Sequence, residues 1–207
     1  MFIHGGYWRA LQPSAFSQVA AGLNAHGVTV ALPGYDLCPQ VGIGDIVEQM
    51  RKATLYLHRR FNRPVLVLGH SAGGHLAGSM IATDWQEFGA PANTVPAAMG
   101  ISGLYDLVPM VSTAMNNDFK LTDTEAKRLS PLLWPAPKEK IFDAVDGGAE
   151  SEEFHRQSRS VADTWSAAGV TTLYNPVPNA NHFTVIEPLA DRNSAMVKRL
   201  LELLPKD

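Results

Sequence analysis

Cysteine is all but missing: Cys38 stands alone among 207 residues, which excludes an internal disulfide and any zinc site built on cysteine pairs. An excess of positive charge is missing too. Seventeen Lys and Arg against twenty Asp and Glu leave a formal net charge of -3, with no basic stripe to neutralise phosphates, so nucleic acid is not an expected partner. No apolar run reaches the roughly 20 residues of a membrane span, and the opening Met-Phe-Ile-His-Gly-Gly has neither a basic n-region nor an apolar h-region. A cytoplasmic protein without a membrane partner is the expectation. There is no H-E-x-x-H, the seven histidines do not cluster at ligand spacing, and Gly42-Ile43-Gly44 lacks the third glycine of a dinucleotide fingerprint. Neither metal nor cofactor is therefore expected. What is present is 45% hydrophobic residues, enough to bury the core of one domain over residues 1–207.

Short apolar runs alternate with longer amphipathic segments, the pattern of a mostly parallel sheet with crossover helices on both faces, an α/β class. Phe2-Ile3 reads as the tail of a strand. Ser14 is placed to cap a helix with Phe16, Val19, Ala20 and Leu23 on one face, ended by Gly27. Val28 to Leu32 reads as a buried strand, 33–44 as loop, and 45–61 as a helix stopped by Pro64. Val65 to Leu68 is the clearest strand, and a helix over 72–82 follows at once. Further strands are expected at 97–101, 141–145 and 170–174. Helices are expected over 122–129, where Thr122 and Glu125 form a capping box, and over 151–168 and 191–204.

Gly69-His70-Ser71-Ala72-Gly73 matches G-x-S-x-G, a sharp strand-to-helix turn that exposes a serine hydroxyl above a sheet. The bare motif is also compatible with a glycine turn used only for close packing. Its position between the best strand and a helix favours Ser71 as a nucleophile. A base must come from a loop at the same edge of the sheet, and His182 fits, late in the chain after the last strand. His26 and His58 read as surface residues on helices, His70 and His75 as neighbours of the elbow, and His155 as solvated. The acid should lie between serine and histidine and follow a strand, which leaves Asp143, Asp146 and Glu150. Spacing divides the choice evenly between Asp146 and Glu150, and either could instead stabilise the N-terminus of the next helix. His4-Gly5-Gly6-Tyr7-Trp8 can aim the amides of Gly6 and Tyr7, with that of Ala72, at one point as an oxyanion hole. Tyr7, Trp8 and Phe183 flank these motifs and could line an aromatic substrate pocket or belong to the core.

Taken with Gly69 to Gly74, the stretches Glu150 to Ser158 and Asn181-His182-Phe183, the His4 to Trp8 element is similar to the kynurenine formamidase (arylformamidase) group of α/β-hydrolases, near the hormone-sensitive-lipase type of esterases. The resemblance covers essentially the whole chain. It implies an α/β-hydrolase fold, Ser71 as nucleophile and His182 as base, and it moves the acid to Glu150, since in that group the acid directly precedes the Ser-x-x-Phe stretch. Glu stands here where better-known members have Asp. Members also carry sequence ahead of the HGG element, so the chain is expected to lack the first strands of the sheet, with residues missing upstream of Met1. The implied reaction is hydrolysis of an ester or aryl formamide. The alternatives are a general carboxylesterase for short acyl esters and a truncated, non-catalytic binding protein.

Overall fold

A computed structural model describes residues 1–205, and Lys206 and Asp207, which the one-domain expectation includes, lie outside the described residues. Five strands, β1 (Phe2–Ile3), β2 (Val67–His70), β3 (Ala97–Ile101), β4 (Ile141–Gly147) and β5 (Thr171–Val177), form one sheet in the order β1-β2-β3-β4-β5. Every pairing is parallel, with Leu68 beside Phe2 and Met99, and Gly100 beside Ala144. The helices are α1 (Ala21–Asn24), α2 (Ile43–Phe61), α3 (Ala72–Ala82), α4 (Asn116–Phe119), α5 (Asp123–Arg128), α6 (Glu152–Ala167) and α7 (Ala195–Leu203).

Strand alternation divides the core in two, because successive side chains leave opposite faces of a sheet. Ile3, Val67, Ala98, Phe142 and Ala144 pack on one face against α2, α3 and α6 through Met50, Leu76, Met80 and Trp165. Phe2, Leu68, Met99, Ile101 and Val145 pack on the other against Leu23, Val197 and Leu200. Helices thus cover both faces, and polar loops are pushed to the strand ends.

Most elements fall where periodicity puts them, with shifts of one to three residues at their ends, the largest of these at β5, which continues to Val177. The helix expected from Ser14 begins instead as a 3-10 turn at Pro13–Ala20, with Gln12 at the N-cap position and no side-chain cap, although Phe16, Val19, Ala20 and Leu23 are buried as the pattern requires. Val28 to Leu32, expected as a buried strand, is only partly buried and joins no ladder, its link to β1 being the hydrogen bond from Phe2 N–H to Ala31 O, 2.9 Å. The terminal helix starts late, at Ala195, where the Ser194 hydroxyl accepts from Val197 N–H at 3.0 Å. Thr122 caps α5 through Glu125 N–H as its capping box predicts. Among the described residues no helix is long and apolar enough to cross a membrane.

Candidate active site

The turn from β2 into α3 holds Ser71 at φ 58°, ψ -119°, a conformation few L-residues adopt. Two glycines make it possible. A Cβ at Gly69 would sit 2.0 Å from Gly73 O, and one at Gly73 would sit 2.0 Å from Ile3 O, so neither position has room for a side chain. Ser71 N–H donates to Ile101 O at 2.8 Å, tying the elbow to β3. The residue is almost wholly buried, and its hydroxyl faces one histidine.

That histidine is His182, whose Nε2 lies 3.0 Å from Ser71 Oγ and whose Nδ1 lies 2.8 Å from Glu150 Oε2. A carboxylate only accepts, so Nδ1 carries the proton and Nε2 is left to accept from the serine hydroxyl. The loop that presents His182 is pinned by its neighbour Asn181, whose Oδ1 accepts from the amides of Phe183 (2.9 Å) and Thr184 (3.1 Å). His70 Nε2–H donates to His182 O at 2.8 Å. Phe154 packs on the imidazole at 4.4 Å between ring centroids. Burial together with the neighbouring His182 pushes the His70 imidazole down to about 4, so it stands neutral beside the site at ordinary pH.

Glu150 follows the end of β4 and reaches back. Its second oxygen, Oε1, accepts from Gly147 N–H at 2.7 Å and from Ser102 Oγ–H at 2.5 Å. Burial pulls the carboxyl upward, but the hydrogen bonds from His182, Ser102 and Gly147 outweigh it and hold it below its ordinary value. Its competitors are engaged elsewhere. Asp146 accepts from His155 Nδ1–H at 3.1 Å and from the Tyr174 hydroxyl at 3.1 Å. Asp143 is paired through both oxygens with Arg199 of α7, at 2.7 and 3.1 Å. His155 is consequently buried, not solvated as its place on an early helical turn suggests.

The Gly5-Gly6 loop passes directly beside the elbow: a Cβ on Gly5 would lie 2.9 Å from both His70 O and Ser71 Cβ. Gly6 has φ 112°, and Tyr7 and Trp8 have φ 50° and 55°. This run of left-handed conformations is fastened by Gly6 O, which accepts from Arg9 and Ala10 N–H at 3.1 and 3.0 Å. Among the described residues the amides of Gly6 and Tyr7 donate to no partner, and Ala72 N–H is a free first donor of α3. Of the three aromatics singled out in the sequence, Trp8 belongs to the core. Its indole is fully buried, edge-on to His75 at 5.2 Å and Phe119 at 5.6 Å. Tyr7 is half-buried, and Phe183, 79% exposed, stands edge-on to His182 at 5.8 Å. Ser102 escaped sequence reasoning, and its only signal is a serine directly after a strand, at the edge where Ser71 emerges.

The sequence was also compared with known proteins. A model of the alpha/beta hydrolase family matches residues 1–204. The kynurenine formamidase of Salmo salar is 32% identical over 215 residues, spanning 100% of this chain and 72% of that protein. That of Danio rerio is 30% identical over 213 residues, with the same coverage of 100% and 72%. A crystal structure from Silicibacter sp. tm1040, provisionally described as a thioesterase, superposes with TM-score 0.85 at 33% identity over 95% of this chain and 73% of that one. An esterase of Pyrobaculum calidifontis shares the fold, with TM-score 0.80 at 17% identity over 97% of this chain and 75% of its own. Sheet order, elbow and relatives agree: this chain is a hydrolase that belongs to the alpha/beta hydrolase family, in the group that includes the kynurenine formamidases.

Proposed function

We propose that the protein is a serine hydrolase that cleaves an aryl formamide of the N-formylkynurenine type, or a related carboxylic ester, through Ser71, His182 and Glu150. The observation that carries this reading is the unbroken hydrogen-bonded run from Ser71 Oγ to His182 Nε2 (3.0 Å) and from His182 Nδ1 to Glu150 Oε2 (2.8 Å). His182 takes the Ser71 proton as Oγ attacks the carbonyl carbon, and Glu150 fixes the imidazole tautomer and stabilises its charged form. The amides of Gly6, Tyr7 and Ala72 receive the developing oxyanion, each worth about 3 kcal/mol in such sites. The C–N or C–O bond then breaks, with His182 returning its proton to the departing amine or alcohol. Water, deprotonated by the same histidine, releases formate or the longer acid from Ser71.

The formamide preference is supported by the relatives of Salmo salar and Danio rerio, which bear that activity in their names. Exposed Phe183, edge-on to His182, and half-buried Tyr7, two residues after the Gly5 that passes the elbow, offer aromatic surface suited to an aryl leaving group. A second reading, a thioester or short-ester hydrolase, follows from the Silicibacter structure at 33% identity. Steady-state kinetics on N-formylkynurenine, p-nitrophenyl acetate and an acyl thioester discriminate between them: the formamide is expected to have the highest kcat/KM, and a clear preference for either ester removes the formamidase assignment. Ser71→Ala is expected to lower turnover of every substrate by at least about 10³-fold, and unchanged turnover would sink the serine-hydrolase mechanism.

A further inference from the structure

We propose that Ser102 is a positioning residue for the reaction: its hydroxyl fixes the Glu150 carboxylate so that only Oε2 faces His182. The inference rests on the roles assigned above to Ser71, His182 and Glu150. Glu is a three-torsion side chain reaching back from beyond the Gly147-Gly148 corner, and with one hydrogen bond to His182 it could swing about its terminal torsion and offer either oxygen. Two donors remove that freedom, since Ser102 Oγ–H at 2.5 Å and Gly147 N–H at 2.7 Å both hold Oε1. Ser102 is fully buried, so no solvent competes for this contact.

The backbone at Ser102 is unusual in a way that serves the contact. Its φ is 50°, a left-handed conformation that favours glycine, yet the position carries a side chain. The strained residue is held by its own amide, which donates to Val145 O at 2.6 Å and so anchors it to β4, the strand that leads into Glu150. Glycine already occupies the next position, where a Cβ would meet the Tyr105 hydroxyl at 2.3 Å. A serine kept where glycine is easier, with its hydroxyl spent on the carboxylate that holds His182, is the pattern expected of a group retained for the site and not for the fold.

Two substitutions test this on the intact protein. Ser102→Ala removes the donor; Ser102→Gly removes it while suiting φ 50°, so at least one donor-free variant retains the backbone conformation. In both variants kcat is expected to fall about 10–100-fold with KM little changed. A Glu150 that has lost a donor protonates more readily, so the acid limb of the kcat/KM profile is expected to move to higher pH in both variants. Wild-type kcat and an unmoved acid limb in Ser102→Gly would overturn the proposal. Ser71→Ala and Glu150→Gln, measured alongside, separate the two levels: if those are dead while Ser102→Gly is intact, only the role of Ser102 fails; if Glu150→Gln is fully active, the assignment of the acid fails with it.

Discussion

Acid should destabilise this protein well before its carboxylates protonate, because buried imidazoles, those of His70 and His75 foremost, resist protonation while it is folded. His75 is fully enclosed in α3, its Nε2–H donated to Leu129 O at 2.7 Å. Burial pushes it down to about 4, and burial with the nearby His182 does the same to His70. In the unfolded chain both titrate near 6.5. A depressed folded value means that the unfolded state binds more protons between those limits. The contribution of these two groups is therefore complete above about pH 6.5 and is lost as the pH drops towards 4. A difference of about 2.5 pH units at 1.36 kcal/mol each amounts to about 3 kcal/mol per histidine, and where both act the slope approaches 3 kcal/mol per pH unit. The depressed carboxyls of Glu150 and Glu153 enter only below their ordinary value of 4.5, outside most of this window. Guanidinium unfolding midpoints measured from pH 7 to 4.5 read the effect directly. His75→Gln retains a side-chain N–H for Leu129 O but does not titrate, so it should show a weaker pH dependence than wild type, by up to about 1.4 kcal/mol per pH unit. An identical pH dependence in wild type and His75→Gln would refute the reasoning.

Other expectations follow from single contacts. Glu150→Gln should lower kcat by about 10³–10⁴-fold, since the imidazole loses its anionic partner, whereas Asp146→Asn should leave kcat within about tenfold; kinetics showing the larger loss in Asp146→Asn would transfer the acid role. Phe183→Ala should leave the melting temperature unchanged, because the ring is 79% exposed, and should raise KM for an aryl formamide several-fold more than for p-nitrophenyl acetate; equal KM changes would remove Phe183 from the binding surface. Arg199→Met strands the buried Asp143 carboxylate and should cost about 2–4 kcal/mol in denaturant unfolding, with the double variant Arg199→Met/Asp143→Leu recovering most of it. No recovery in the double variant would show that the arginine acts through packing alone.

Much of this architecture is legible in the amino-acid order, because hydrophobic period and glycine placement are local properties. Val65 to Leu68, followed by Gly69 and Gly73 around Ser71, specifies a strand, a turn and a helix without any distant partner, and the glycines at both ends leave the backbone no other close approach. The position of His182 after the last strand follows from the same local reading, since in a parallel sheet every strand-to-helix loop lies at one edge.

What local pattern could not determine was which side chains face each other across that edge. Asp146 and Glu150 were equivalent by spacing, and the length of β4 separated them. The strand continues through Gly147, so Asp146 remains inside the ladder, in line with Phe142 and Ala144, where His155 and Tyr174 bind it; Glu150 lies past the corner and is free to meet His182. Trp8 sits in a glycine-rich loop that reads as a pocket wall, yet its left-handed backbone turns the indole into the core against His75 and Phe119. Val28 to Leu32 has the composition of a strand, but a ladder needs a partner on its hydrogen-bonding edge, and the bond to β1 runs from Phe2 to Ala31. Sequence determined the order of elements and the elbow; tertiary structure brought Glu150 rather than Asp146 to His182, buried the tryptophan and brought Ser102 to Glu150. Such pairings join residues 32 to 111 positions apart, and contacts of that range exist only once the sheet has fixed its strands in register.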